Sequence, residues 1–461
     1  MTADVLLADA QVLPAGGPAS DRFDWAEVWY PVHYLRDLNR DRPNAFTLLG
    51  RDLVIWWDRS AEQWRAFEDA CPHRQVRLSE GRLDAEGRLE CPYHGWAFTG
   101  TGDCAVIPQQ ATTGQAHTSD RACAKTLPTA TAQGLLFVYA GTPERADRVP
   151  LPLVEPWGTD ADWVCIDTFR DLPYDALTLL ENVLDPSHLP FTHHGSVGNR
   201  ANAGPMTDLK IVESDRQGFQ GVWPEGPRRG KLGTQSTTFI APSLMWHDLE
   251  ADSLGRAMTV VYATPIRAGE CRIFARFPFR FKSAIPRFFL RIAPTWFQHL
   301  GQNTVLEEDQ IFLHHQERRI QQQGGSATYS RQCYLPTSAD RFVLALHRWV
   351  DRYAGVPFPN EPLPASRSIP ELLERYQSHT LHCRSCAAAW RRSKQGQTVA
   401  IAIAALSWTL APILAVAGVS ATTVILLAVL GLSAAAIAWG LKQLQRRFEQ
   451  GPRQVRRNQK A

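Results

Sequence analysis

Apolar and polar positions recur in three rhythms along the 461-residue chain. In residues 46–57 (FTLLGRDLVIWW), two runs rich in β-branched and aromatic side chains flank Gly50-Arg51-Asp52, which predicts a hairpin. Residues 64–67 and 134–140 (GLLFVYA) predict further strands, so an antiparallel β domain is expected over 23–141, followed by a Pro-rich linker over 143–157. A helical rhythm then appears in residues 175–184, where Leu177, Leu180 and Leu184 share a face and Pro186 disturbs the next turn. Strand-like runs return at 235–246, 257–265 and 270–279, and residues 305–319 read as a second helix with Leu306, Phe312 and Leu313 on its apolar side. An α+β domain over 142–394 follows, an antiparallel sheet curved around a long helix in a helix-grip-like manner, with a deep apolar pocket. Phe277, Phe279, Phe281, Phe288, Phe289, Trp296 and Phe297 read mostly as core.

The third rhythm is the absence of charge over residues 395–441. Segments 398–417 and 421–441 are each long enough to cross a bilayer at about 1.5 Å per residue, with Gly418-Val419-Ser420 left for the turn. A buried hairpin in a soluble core is the alternative, although core helices of this length normally keep a polar stripe. Arg391, Arg392 and Lys394 precede the hairpin, and Lys442, Arg446, Arg447, Arg453, Arg456, Arg457 and Lys460 form a basic tail over 442–461. Both ends are therefore expected on the cytoplasmic or stromal-equivalent side of the membrane. Residues 1–22 show neither a secretory nor a transit pattern and read as a disordered arm.

A net charge of +3 argues against a nucleic-acid partner, and nine cysteines make an odd disulfide set, which points to a reducing compartment. Cys104, Cys123, Cys165, Cys271 and Cys333 are scattered singly and read as small buried hydrophobes. Cys71 and His73 form one short pair and Cys91 and His94 another, with seventeen residues between the pairs that include Gly81 and Gly87 for turning. Two thiols and two imidazoles suit a tetrahedral zinc site, yet zinc modules usually pair C-x-x-C with a later His pair. One thiolate and one imidazole in each half suits a Rieske 2Fe–2S cluster, with Cys71 and Cys91 on one iron and His73 and His94 on the other. Tyr93 stands where respiratory Rieske proteins carry an extra Cys, so the stretch resembles the oxygenase type, which passes electrons to a second metal.

Asn182, Asp185, His188 and His193 fit N-x-x-D-x-x-H-x-x-x-x-H, the mononuclear iron signature of such oxygenases. Two imidazoles and one carboxylate on one face leave open iron positions for dioxygen. Spacing selects His193 over His194, which then faces substrate or supports a ligand. Asp185, on the ligand face, is positioned to accept an imidazole N–H, and Asp185 and Asn182 are the candidate catalytic residues. The carboxylate is expected from the 305–319 helix: Asp309, with Glu308 as substitute, against the alternative of an acidic first turn complementing the helix dipole. His314 and His315 read as solvated or supporting residues. Cys383 and Cys386 form a C-x-x-C that suits a dithiol switch, half a metal site, or two unreactive thiols, since no second C-x-x-C completes a zinc site.

These motifs, with ENVLDPSHLPFTHHG, residues 333–349 (CYLPTSADRFVLALHRW) and the paired apolar helices, together resemble the pheophorbide a oxygenase family over nearly the whole chain after Phe23. The resemblance implies oxygen insertion into a chlorophyll-derived tetrapyrrole, such as pheophorbide a or chlorophyllide a, using dioxygen and a ferredoxin-type donor. It further implies a homotrimer in which Asp185 bridges His73 or His94 of one subunit to His188 of the next. The lack of a transit pattern departs from plant members and suggests a cyanobacterial thylakoid or plasma-membrane protein. Two other readings stand beside it: a membrane-associated Rieske electron-transfer or redox-sensing protein, and an oxygenase of another hydrophobic ring substrate.

Overall fold

A computed structural model describes residues 22–155, 157, 162–251, 255–359 and 361–452. The predicted arm before residue 22 and the end of the tail lie outside them. The predicted hairpin pairs Asn44–Leu48 with Arg51–Asp58. Its turn is Leu49-Gly50, one residue earlier than expected, with φ of 51° and 75°. Positive φ at both central residues gives the turn the twist that a two-residue hairpin needs, and Gly50 supplies one of them without a Cβ penalty. Along Arg51–Asp58, Leu53 and Ile55 enter one apolar cluster while Val54 and Trp56 enter another. Alternate side chains point to opposite faces, so this strand joins the domain core to the second cluster, which contains Cys71 and Cys91.

The second domain is a seven-stranded antiparallel sheet ordered Val164–Leu172, Glu270–Phe281, Gly255–Arg267, Leu244–Ala251, Gln235–Ile240, Gly218–Trp223 and Lys210–Asp215. The helix α1 (Ala176–Leu184) packs on the strands Gly255–Arg267 and Glu270–Phe281. Thr264 Oγ1 and Arg272 Nη1 donate to the carbonyls of Pro31 and Val32 at 2.7 and 3.2 Å, tying this sheet to the first β domain. Both belong to one compact unit, residues up to 292 with 312–366; residues 293–311 and 367 onward form a second.

Two further helices follow, α2 (Ala284–Ile292) and α3 (Thr295–Gln322). The expected aromatic core is not there: Phe288, Phe289 and Phe297 are 58–60% exposed, and α2 turns Ile285 and Ile292 outward with its two phenylalanines. The α3 helix starts ten residues before its predicted beginning, so Glu307, Glu308 and Asp309 lie in its middle and not in a first turn. Of its expected apolar side Leu313 is buried, but most of what it buries is polar. Phe312 is 44% exposed, while Glu307, Glu308, Asp309, Gln310, His314, Glu317 and Arg318 are all buried. His314 is therefore not solvated, although His315 is. Of the scattered cysteines Cys104 and Cys271 are buried, whereas Cys123, Cys165 and Cys333 are half-exposed.

The second unit ends in α4 (Arg384–Val416) and α5 (Ala421–Glu449), both long and apolar enough to cross a membrane. Within the apolar hairpin their buried residues are small, Ala400, Ala404, Ser407 and Ala411 against Gly431, Ala434 and Ala438. A Cβ on Gly431 would come within 2.5 Å of Trp408 Nε1, so the helices approach where side chains are smallest. Of the tail predicted over 442–461, the part as far as Glu449 is helical and packed: Phe448 is fully buried, and its carbonyl accepts from Thr380 Oγ1 at 2.7 Å. The apolar hairpin thus grows out of longer helices whose ends pack within the unit.

Candidate metal centres

The two ligand loops of the first domain are built alike. Cys71 N–H donates to Val76 O and Cys91 N–H to Trp96 O, both at 2.8 Å, while Gln75 and Gly95 N–H return to the carbonyls of Cys71 and Cys91. Gln75 and Gly95, each four residues after its Cys, have φ of 59° and 72°. Gly81 serves for close approach and not for turning, since its Cβ would meet Glu90 O at 2.2 Å; Gly87, with φ of 81°, does turn. Both thiols are buried, and the imidazoles of His73 and His94 lie outward of them, half-buried, with ring centres 4.7 Å apart. Trp96 stacks on His73 at 4.7 Å, and Gln109 Nε2 holds the His94 carbonyl at 2.8 Å.

The donor set fits a Rieske cluster. Burial, with Cys91 alongside, pushes the Cys71 thiol up to about 12, so Cys71 ionises only with a cation to stabilise it. Desolvation, then the neighbouring His73, lowers His94 and keeps it in the neutral form that a metal requires. Nδ1 of His73 is buried without a hydrogen-bond partner, a deficit that a bound iron would remove.

The second centre begins on α1. Asp175 caps that helix by accepting from Thr178 N–H at 2.8 Å, and Asp185 ends it by accepting from Ser187 N–H at 2.7 Å, which opens the turn Pro186–His188. The Asp185 carboxylate is thus engaged with the backbone, and it is the Asp185 carbonyl that accepts from His188 Nδ1. That contact fixes the His188 tautomer, with Nε2 left for a metal. His193 follows the short turn Leu189–Thr192 and is 3% exposed; His194 is exposed and accepts from Arg200 N–H at 3.2 Å. Asn182 is half-buried and its carbonyl accepts from Asp185 N–H at 3.2 Å.

The C-terminal half of α3 meets the chain just before α1, where His314 Nδ1 donates to Pro173 O at 2.6 Å and Glu317 Oε1 accepts from Asp175 N–H at 2.7 Å. Asp309 precedes His314 by five residues, a little over one helical turn. His188, His193 and Asp309 each offer one ligand atom, and these atoms lie within 4.8 Å of one another. Glu308 is buried but outside this set, and Glu307 is committed to Arg375 through both oxygens at 2.6 and 2.7 Å. Two imidazoles and one carboxylate match the ligand set of a non-haem ferrous centre with open positions.

Sequence reasoning passed over His247, on the strand Leu244–Ala251. Its Nε2 donates to Val183 O at 2.9 Å and its Nδ1 accepts from Thr237 Oγ1 at 2.8 Å, which pins the end of α1 to the sheet. Burial pushes it down to about 4, so it is neutral at physiological pH. No motif marks it. In the second unit, Cys383 and Cys386 are buried and not disulfide-bonded, at the start of α4.

Residues 28–128 match the Rieske [2Fe-2S] domain and residues 239–327 match a domain described as pheophorbide a oxygenase. The chain is 37% identical to the chloroplastic pheophorbide a oxygenase of Arabidopsis thaliana over 80% of its own length and 73% of that protein. It is 32% identical to flavonoid 8-hydroxylase 2 of Ocimum basilicum, covering 81% of this chain and 75% of that one. Among solved structures NdmB of Pseudomonas putida CBB5 is similar in fold, with a TM-score of 0.56 and 22% identity over 71% of this chain and 90% of that one.

Proposed function

The chain belongs to the pheophorbide a oxygenase family of Rieske non-haem iron oxygenases, and we propose that it inserts oxygen from dioxygen into a chlorophyll-derived tetrapyrrole of the pheophorbide a or chlorophyllide a class. The observation that carries this reading is the convergence of His188, His193 and Asp309 in a chain that also holds a Cys/His cluster cradle, because a pure electron carrier needs no second ligand set. When bound, the cluster supplies electrons one at a time and the ferrous ion activates dioxygen.

Cys71, Cys91, His73 and His94 hold the cluster; His188, His193 and Asp309 hold the iron. The Asp185 carbonyl keeps the His188 proton on Nδ1, and His247 keeps α1 seated on its sheet. We assign electron delivery to a ferredoxin-type donor and transfer to a neighbouring subunit of a homotrimer, with the Asp185 carboxylate at that junction. The hairpin of α4 and α5 anchors the chain in a membrane, with the basic residues flanking it on the cytoplasmic or stromal-equivalent side.

A second reading, oxygenation of a flavonoid-like ring, is favoured by the likeness to the basil hydroxylase. Reconstituted protein would be loaded anaerobically with pheophorbide a, chlorophyllide a or a flavone, then given ¹⁸O₂ and a reduced ferredoxin. A tetrapyrrole product carrying ¹⁸O supports the leading reading; label in the flavone alone moves the substrate to the second, and label in none of them refutes both.

A further inference from the structure

The C-x-x-C at the root of the hairpin has two partners that its sequence context does not show. Cys383 caps the start of α4 and Cys386 lies in its first turn. His379 comes from the π-helical turn Tyr376–Thr380, and His299 from the first turns of α3. All four are at most 1% exposed, and each offers a ligand atom within 4.8 Å of the others. We propose that His299, His379, Cys383 and Cys386 form a structural zinc site, separate from both iron centres.

The interatomic distances support one ion at the centre. Tetrahedral zinc, with bonds of about 2.0–2.1 Å to nitrogen and about 2.3 Å to sulfur, sets its ligand atoms about 3.3 Å apart for N···N and about 3.6 Å for N···S. Here His299 Nδ1 and His379 Nε2 are 3.1 Å apart. The N···S separations are 3.4 Å for His379 to Cys386, 3.4 Å for His299 to Cys383 and 3.6 Å for His299 to Cys386.

Hydrogen bonding explains the cluster less well. A ring nitrogen has one in-plane site, either an N–H or a lone pair, yet His299 Nδ1 has three such neighbours. A two-iron cluster fits less well too, because it would hold its thiolates and imidazoles on different irons. Four protein ligands with no open position are the mark of a structural and not a catalytic zinc. Full burial also keeps both thiols from an exchange partner, which argues for ligation over a dithiol switch. The ion would clip the start of α3, two to three turns before Glu307 and Asp309, to the root of the apolar hairpin.

The test uses the full chain, expressed with zinc and iron both supplied and purified in detergent with its cluster intact. Elemental analysis should find about one zinc per chain, and zinc-edge X-ray absorption should give two sulfur ligands at about 2.3 Å and two nitrogens at about 2.0 Å. Cys383→Ser with Cys386→Ser should cut zinc at least ~10-fold while the Rieske EPR signal stays; His382→Ala, beside the site, should keep the zinc. Should the double variant fail to fold, the wild-type absorption spectrum decides alone. Wild type without zinc, a first shell of only nitrogen and oxygen, or a Cys383–Cys386 disulfide in the protein as isolated would each overturn the proposal.

Discussion

His247 offers a test of how the iron-bearing helix is seated. Its ring bridges Val183 O on α1 to Thr237 Oγ1 on the sheet, and burial lowers it from the ordinary 6.5 to about 4. Protonation would put a second N–H on Nδ1, against a hydroxyl and the Gln235 amide 3.2 Å away. Between these two values the unfolded chain takes up a proton that the folded one refuses. The stabilisation is therefore complete above pH 6.5 and lost progressively as pH falls towards 4. At about 1.4 kcal/mol per pH unit the whole gap is worth about 3 kcal/mol, of which about 2 kcal/mol is lost between pH 8 and pH 5.

His247→Gln keeps an amide able to donate to Val183 O but cannot titrate. It should be less stable than wild type at pH 8 by about 1–3 kcal/mol, for an imperfectly satisfied buried carbonyl. That deficit should shrink by about 2 kcal/mol at pH 5. Urea unfolding in detergent, followed by near-UV circular dichroism at both pH values, reads the difference, and groups common to both proteins cancel. A deficit equal at pH 8 and pH 5 would refute the buried neutral histidine.

Asp309→Asn should lose the mononuclear iron and reduce turnover more than ~100-fold while keeping the Rieske EPR signal, whereas Glu308→Gln should retain iron; the reverse pattern in metal analysis would exchange their roles. Asp185→Asn still accepts from Ser187 N–H, so both metals should stay bound while electron delivery and product formation fall together, as single-turnover kinetics would show; full turnover would remove Asp185 from the electron path. Burial beside Asp175 pushes Glu317 up to about 9, so the folded carboxyl keeps a proton that the unfolded chain releases, and stability is lost as pH rises from 4.5 through 9. Glu317→Gln should therefore flatten that alkaline loss in thermal melts, and an unchanged pH profile would count against it. Replacing residues 396–441 by a short linker that retains Phe448 should release the chain from membranes with its cluster intact, while truncation after Lys394 also removes the Phe448 plug and should destabilise the second unit in proteolysis assays.

The cluster cradle was legible because each ligand pair is local: two short loops with one hydrogen-bond plan need no distant information. The strands and α1 were legible from period alone, and the position of Pro186 marked the break after which His188 follows. The polar face of α3 was not. Its Leu306 and Phe312 satisfy a search for an apolar stripe, yet its buried side is chosen by partners such as Arg375 and the Pro173 carbonyl. His299 and His247 escaped for the same reason, being isolated histidines whose partners lie 80 and 64 residues away. Phe288 and Phe289 read as core on aromatic content alone, yet aromatic content signals core only when something covers it, and nothing local says whether it will.

The buried polar side of α3 also limits how that segment can change. A helix held by interchangeable apolar contacts tolerates slippage, since a rotated face still covers some hydrocarbon. This one presents Glu307 to Arg375, Gln310 to the Leu372 carbonyl and Glu317 to the Asp175 amide, each partner matched to one angle around the axis. A single inserted residue turns everything on one side of it by about 100° relative to the other, which sets carboxylates against surfaces that cannot receive them. Substitutions along its outer face are cheap, but its length is not negotiable: between His299 and Glu317 the chain behaves as a ruler, marking off by count where each polar group must fall.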